Sequence, residues 1–333
     1  MEMKKLSARK IGSDLHMKLV MLMVIIAAGI FSVAAEDVVL TFRGEGKDFD
    51  DAYRGLKGEL QDEVELKEVL IDKKSTVSVI ADAMEKNSPK LVILMDNQSI
   101  GLYRKYQAGV KDESGIVPSI SLMAVIVKSA IKDIKKASGI SYEIPIVTSI
   151  VSLRSVLAIE MKKIGVIHRE FLKDFMKENI EFCKKEGIEV VNFSLPNKNK
   201  NIKSAIKKAL REMMKQKVDA LWIPNDNALL QPGIIQGVWI PQAKKYKIPI
   251  VVGVEVLVKP KLNFGTYAVL PDHVSLGSQA AEMVFDLMDN NWEMDEPRVD
   301  PPLAVYKIIN LRQAKKYFDV SDDNLKSVDK KLK

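Results

Sequence analysis

The chain has 333 residues and is poor in the side chains that carry metal and redox chemistry, with one cysteine and three histidines. A single cysteine forms no intramolecular disulfide and excludes Cys-rich zinc modules and multi-cysteine iron–sulfur sites. His16, His168 and His273 stand at no metal-ligand spacing, so neither a metal nor another cofactor is expected. Catalytic and phosphate-binding motifs are missing as well: G-x-S-x-G, G-x-x-x-x-G-K-[ST] and H-E-x-x-H do not occur, and no enzyme is assigned. Gly44-Glu45-Gly46 opens like a dinucleotide fingerprint, but Phe49 stands where its third glycine belongs. Charge of one sign is also lacking. With 51 basic against 44 acidic residues, the net +7 describes a mixed surface rather than the basic face that nucleic acid requires. A composition 47% hydrophobic and 29% charged excludes wholesale disorder, and the length suits two domains.

What is present starts at the N-terminus. Lys4, Lys5, Arg9, Lys10 and Lys18 precede an apolar run of 13 residues, Leu19 to Phe31, which Ser32-Val33-Ala34-Ala35 and acidic Glu36-Asp37 follow. Basic stretch, short apolar core and small-residue end are the parts of a secretory signal peptide. The core is shorter than the ~20 residues a permanent spanning helix needs. Cleavage after Ala35 is expected, with Met17 as an alternative start and an uncleaved anchor as the alternative reading. The only cysteine, Cys183, is far from that point, so no lipid anchor is expected and the periplasm is the expected location. Residues 1–35 hold five basic and two acidic residues, leaving 46 against 42 beyond them. Part of the positive charge is therefore an address.

From Val38 onward, short apolar runs of strand type alternate with stretches of helical period. Strands are expected at 38–42, 64–71, 91–95, 120–127 and 144–150, with helices between them, including one over 128–137. A second series places strands at 163–167, 188–193, 219–223 and 248–252. Such alternation indicates parallel sheets covered by helices on both faces, hence an α/β chain of two doubly wound lobes joined by a hinge. The expected organisation is a signal at 1–35, an N-terminal lobe at 36–145 and a C-terminal lobe at 146–275. A helix and a strand over 276–320 are expected to return towards the first lobe, and 321–333 to form a frayed polar tail.

In open parallel sheets, ligands gather beyond the carboxyl ends of the strands. That rule selects Asp96, Asn97 and Ser99 after the strand 91–95, and His168 after 163–167. It also selects Asn225, Asp226 and Asn227 after 219–223, and Glu255 after 248–252. Short polar side chains at these places also cap helices, so Asn97, Ser99 and Asn227 have that second reading. His168 has a packing alternative to a polar contact in the cleft.

The runs Val218-Asp-Ala-Leu-Trp-Ile-Pro-Asn-Asp-Asn227, Lys247-Ile-Pro-Ile-Val-Val-Gly253 and Gly277-Ser-Gln-Ala-Ala281 resemble exported substrate-binding proteins of ABC transporters. The resemblance is to the tryptophan/tyrosine-type and uncharacterised subgroup and covers about residues 160–318 well. It implies the type I periplasmic binding protein fold, and Pro224-Asn-Asp-Asn227 corresponds to the family's Pro-Thr-Asp-Asn. By that correspondence Asp226 and Asn227 are ligand contacts. The implied function is capture of a small molecule by hinge closure and its delivery to an ABC permease in the inner membrane by a monomer that binds no nucleic acid. A module presenting its ligand to a sensor kinase or chemoreceptor is the alternative, and the ligand's identity stays open.

Overall fold

The computed structural model describes residues 37–333, so the expected signal segment and its cleavage point lie outside the described residues. Val38–Lys333 form one compact unit built around two sheets.

The first sheet contains β1 (Val38–Arg43), β2 (Glu65–Leu70), β3 (Leu91–Met95), β4 (Ser119–Leu122), β5 (Ala137–Ile140) and β11 (Val299–Asp300). Its order is β11-β5-β4-β3-β1-β2 and every pairing is parallel. All five residues of β3 are buried, as a central strand covered on both faces requires. The second sheet contains β6 (Lys163–Arg169), β7 (Glu189–Leu195), β8 (Ala220–Ile223), β9 (Ile250–Val252), β10 (Tyr267–Pro271), β12 (Val305–Asn310) and β13 (Lys330–Leu332). Its order is β13-β12-β10-β9-β8-β6-β7, parallel except where β12 runs against β10. Each sheet has hydrophobic clusters on both faces, so the two-lobed α/β reading stands. In each lobe the strand order reverses direction beside the first strand, between β1 and β3 and between β6 and β8. Those switch points are where a doubly wound sheet opens a crevice.

Four expectations are corrected. The run read as a strand at 144–150 is the helix Ile146–Leu157, which buries Ile146, Ile150, Leu153, Val156 and Leu157. A short run apolar on every side carries no period, and helix and strand look alike there. The helix read over 128–137 shrinks to Val127–Ala130, and β5 begins at Ala137. Three of the four residues of β5, Ala137, Ser138 and Gly139, are small and lack the β-branched signature of a strand, yet β5 lies so close to its neighbour that a Cβ at Gly139 would be 2.6 Å from Ser121 O. The late strand does not return to the first lobe: β12 pairs with β10 in the second sheet. What returns is the helix His273–Asp289 and β11, which pairs with β5. Finally, the tail is docked rather than frayed, because β13 pairs with β12 while Leu325 and Val328 are buried.

The helix His273–Asp289 packs on Lys47–Leu60 at backbone contact. A Cβ on Gly277 would stand 1.9 Å from Ala52 O, and one on Gly55 would stand 2.0 Å from Val274 O. The chain therefore passes between the lobes at 141–145, at Asp272 and at 301–304.

Candidate functional site

In the first lobe the strand ends hold a polar cluster that is largely self-satisfied. Arg43 closes β1 and bonds Glu68, reaches Asp50 at 2.9 Å, and lies over the Tyr53 ring. Asp96 follows β3 with φ 146°, a backbone region that side chains other than glycine's rarely adopt. Its carboxylate accepts from Ser99 N at 2.6 Å, and burial pushes its pKa up. Asn97 clamps the loop after β4, donating to Val125 O and accepting from Val125 N, both at 2.8 Å. Ser99 is buried, and its hydroxyl donates to Asp96 O. Asp96 is thus the helix cap, a reading the sequence raised for Asn97 and Ser99 instead; Ser99 is the residue whose N–H it caps, and Asn97 is exposed at the lobe's edge and braces a neighbouring loop.

In the second lobe Asp226 is buried against Arg169, the last residue of β6. Arg169 Nε donates to Oδ2 and Nη2 to Oδ1, both at 2.7 Å, and the Ala228 N–H adds a third bond to Oδ1 at 2.9 Å. Arg169 also donates to Asn197 O and lies 4.8 Å from the centre of the Phe171 ring. His168 is buried; its Nδ1 lies 3.0 Å from Arg169 O, and its Nε2 has no partner. Asn225 packs against Gly253, where a Cβ would lie 3.2 Å from its Nδ2, and its Oδ1 is buried without a partner. Asn227 is exposed. Glu255 is tied at 2.8 Å to Lys330 of β13, which anchors the C-terminal strand.

A cavity of about 610 Å³ lies between the lobes. Ile126, the short helix Val127–Ala130 and the crossing segment at Ser141 and Glu143 form one side, and the helix Lys173–Lys185 forms the other with Phe175 and Phe182. Lys128 and Glu178 bridge it at 2.6 Å. Ile126 has φ 53°, unusual for a β-branched residue, and its side chain packs against the second lobe's core. Glu143 accepts the Ile126 N–H at 2.9 Å, and desolvation raises its carboxyl to about 7. A second space, of about 10 Å³, lies among Tyr142, Glu143, Trp222, Asn225 and Gly253. Nearby, Tyr142 Oη lies 3.0 Å from Nε2 of His273, so the crossings at 141–145 and 272 meet.

Of the residues named from sequence, only Asn225 lines either space, and none lines the larger one. Glu143 lines both and was not named, because it sits at the edge of an apolar run that reads as a strand. A lone acid before Ile144-Pro145 was the available signal, since a residue run ahead of proline favours an extended crossing over a helix. Arg169 was adjacent to a named residue, but nothing local announces its partner 57 positions away.

Among the described residues no cluster of His, Cys, Asp and Glu is arranged to hold a metal ion, and no helix is long and apolar enough to cross a membrane.

No curated protein sequence matches the chain. Among solved structures, the ligand-free, open structure of CD0873, a substrate binding protein with adhesive properties from Clostridium difficile, is similar, with TM-score 0.64 and 16% identity over 90% of this chain and 100% of that one. The ABC domain in complex with L-Trp from Streptococcus pneumonia has TM-score 0.54 and 19% identity over 89% of this chain and 100% of that one. A periplasmic ribose ABC transporter structure from Conexibacter woesei has TM-score 0.53 and 16% identity over 86% and 96%. These likenesses establish the type I periplasmic binding protein fold. The family model for ABC transporter substrate binding proteins matches residues 114–330, which hold nearly all of the second lobe, the crossings, and β4, β5 and β11 of the first sheet, and the chain belongs to that family.

Proposed function

We propose that the chain captures a small solute between its lobes outside the cytoplasmic membrane and hands it to the permease of an ABC transporter. The observation that carries this reading is the cavity of about 610 Å³, whose walls come from both lobes and from the crossing segment that joins them. Its size is that of a small-molecule site, and closing the lobes would remove water from both walls at once. The apolar run Leu19–Phe31 with its small-residue end supports export, and the function needs no covalent chemistry.

Within this reading, Asn97 and Asn227 are exposed on opposite lobes and serve as polar contacts at the cleft's rim. Asp226 acts through Arg169, whose guanidinium it aims, instead of meeting solute with a free carboxylate. Asn225 contributes an acceptor near the crossings, and His168 stands behind the strand end with its Nε2. Asp96 and Ser99 shape the loop ends, and Glu255 holds the C-terminal strand in place.

Native mass spectrometry of protein isolated from its own periplasm tests the reading, followed by small-angle scattering with the solute so identified. A retained solute that compacts the monomer and raises its melting temperature is expected. At 100 times Kd, binding adds about 2.7 kcal/mol of stability. A protein whose dimensions and melting temperature respond to no solute overturns it.

A further inference from the structure

Among the described residues that line the cavity between the lobes, Glu143 is a buried acid that no cation pairs. Around the cavity of about 610 Å³, Lys128, Lys132 and Lys177 stand against Asp174, Glu178 and Glu181, three of each sign on exposed positions where water screens them. Glu143 is additional to that balance and lies deeper. No lysine, arginine or histidine among the described residues forms an ion pair with it, and its carboxyl accepts only backbone N–H groups, that of Ile126 and its own. Burial without a cation lifts its carboxyl to about 7, which marks an acid whose charged form lacks a partner.

The small space beside it has a matching character. Asn225 supplies a buried Oδ1 with no donor, and Tyr142 and Trp222 supply aromatic walls. A buried acceptor left unpaired costs about 1–3 kcal/mol, which a donor brought by a solute would recover. About 10 Å³ is close to the room needed for a single water-sized head, and the larger cavity adjoins it through Glu143. A carboxyl group and an amide carbonyl oxygen beside a head-sized space are complementary to a compact cation with several N–H donors.

We propose that Glu143, with Asn225 opposite, is the subsite for a protonated amine on the transported solute, whose remaining body lies in the larger cavity along Phe175 and Phe182. The solute class is therefore amine-bearing, and simple organic acids are excluded. This inference rests on the solute-capture reading, which the compaction measurement judges separately.

Three probes share one skeleton and differ in the head group: 2-phenylethylamine, 2-phenylethanol and 3-phenylpropionate. Titration calorimetry of the wild-type protein and of Glu143→Gln reads their affinities near neutral pH. Glutamine keeps an acceptor for the Ile126 N–H and removes the charge, so folding is spared. The expected result is that the wild type binds the amine at least about tenfold more tightly than the other two, the scale of one hydrogen bond to a charged group, and that Glu143→Gln abolishes that preference. Asn225→Asp is the second variant, expected to strengthen the amine preference by placing another carboxylate at the space. Equal or tighter binding of the carboxylate or alcohol by the wild type overturns the inference, and so does an amine preference that survives Glu143→Gln. An Asn225→Asp variant with an unchanged preference removes Asn225 from the subsite.

Discussion

Arg169 grips Asp226 with two parallel hydrogen bonds of 2.7 Å, joining the end of β6 to the turn after β8 at the second lobe's switch point. The Asp226 side chain is fully buried and that of Arg169 is 20% exposed, so the two ends of the pair are not equivalent. Removing the arginine leaves a carboxylate with no route to water. Removing the aspartate leaves a guanidinium that reaches solvent and keeps its bond to Asn197 O.

Arg169→Ala is therefore expected to destabilise the protein by about 3–5 kcal/mol, as a broken buried pair does, and Asp226→Ala by about 1–3 kcal/mol. Urea unfolding with linear extrapolation measures both. An Asp226→Ala loss equal to or larger than that of Arg169→Ala contradicts the asymmetry.

Glu143 makes stability depend on pH with a definite sign. Its carboxyl titrates near 4.5 when free and at about 7 in the fold, so the folded chain holds the proton more tightly. Its contribution falls as pH rises from the lower value and levels off above the upper one, by at most about 3 kcal/mol. Glu143→Gln is expected to remove that slope, leaving the variant relatively more stable at about pH 8 than at about pH 5 by about 2 kcal/mol against wild type. Parallel pH–stability curves for the two proteins would exclude an elevated Glu143.

Gly277→Ala places a methyl group where Ala52 O already lies, 1.9 Å from the built Cβ. The helices Lys47–Leu60 and His273–Asp289 must separate to admit it. A loss of about 1–3 kcal/mol or more is expected, read as a lower thermal midpoint. Gly58→Ala, on the same helix as Gly55 but with open space around its Cβ, is the control and is expected to be neutral or mildly stabilising.

Cys183 is buried in the second lobe, and burial pushes its thiol up to about 11. Iodoacetamide at neutral pH is expected to leave the folded protein unmodified and to label it once in denaturant, as mass spectrometry reads directly. Rapid labelling of the native protein would place that thiol at the surface.

The architecture was legible because it is written in local periodicity. The run Leu91–Met95 is apolar throughout and became a central strand, and the pattern over 201–216 became the helix Ile202–Lys215, burying Ile206, Ala209, Leu210 and Met213. Strand ends followed, and with them the rule that sends attention to Asp96 or Asp226. The same locality explains the misses. Ile146–Leu157 is apolar on too many sides to show a period, and Ala137–Ile140 gains its place from closeness to β4 instead of from its own propensity.

Legible in the residues alone were two series of strands and helices, the polar residues that end the strands, and a resemblance to transporter binding proteins that the family match bears out. Local pattern reports that a face is buried but not against what. It took long-range packing to send the helix His273–Asp289 away from the second sheet and onto the first, through glycines 222 positions apart at Gly55 and Gly277. The same packing decided that Asp226 meets Arg169 and that Glu143 lies between the lobes. Burial and charge balance belong to the surroundings of a side chain, and those surroundings come from segments distant in the chain.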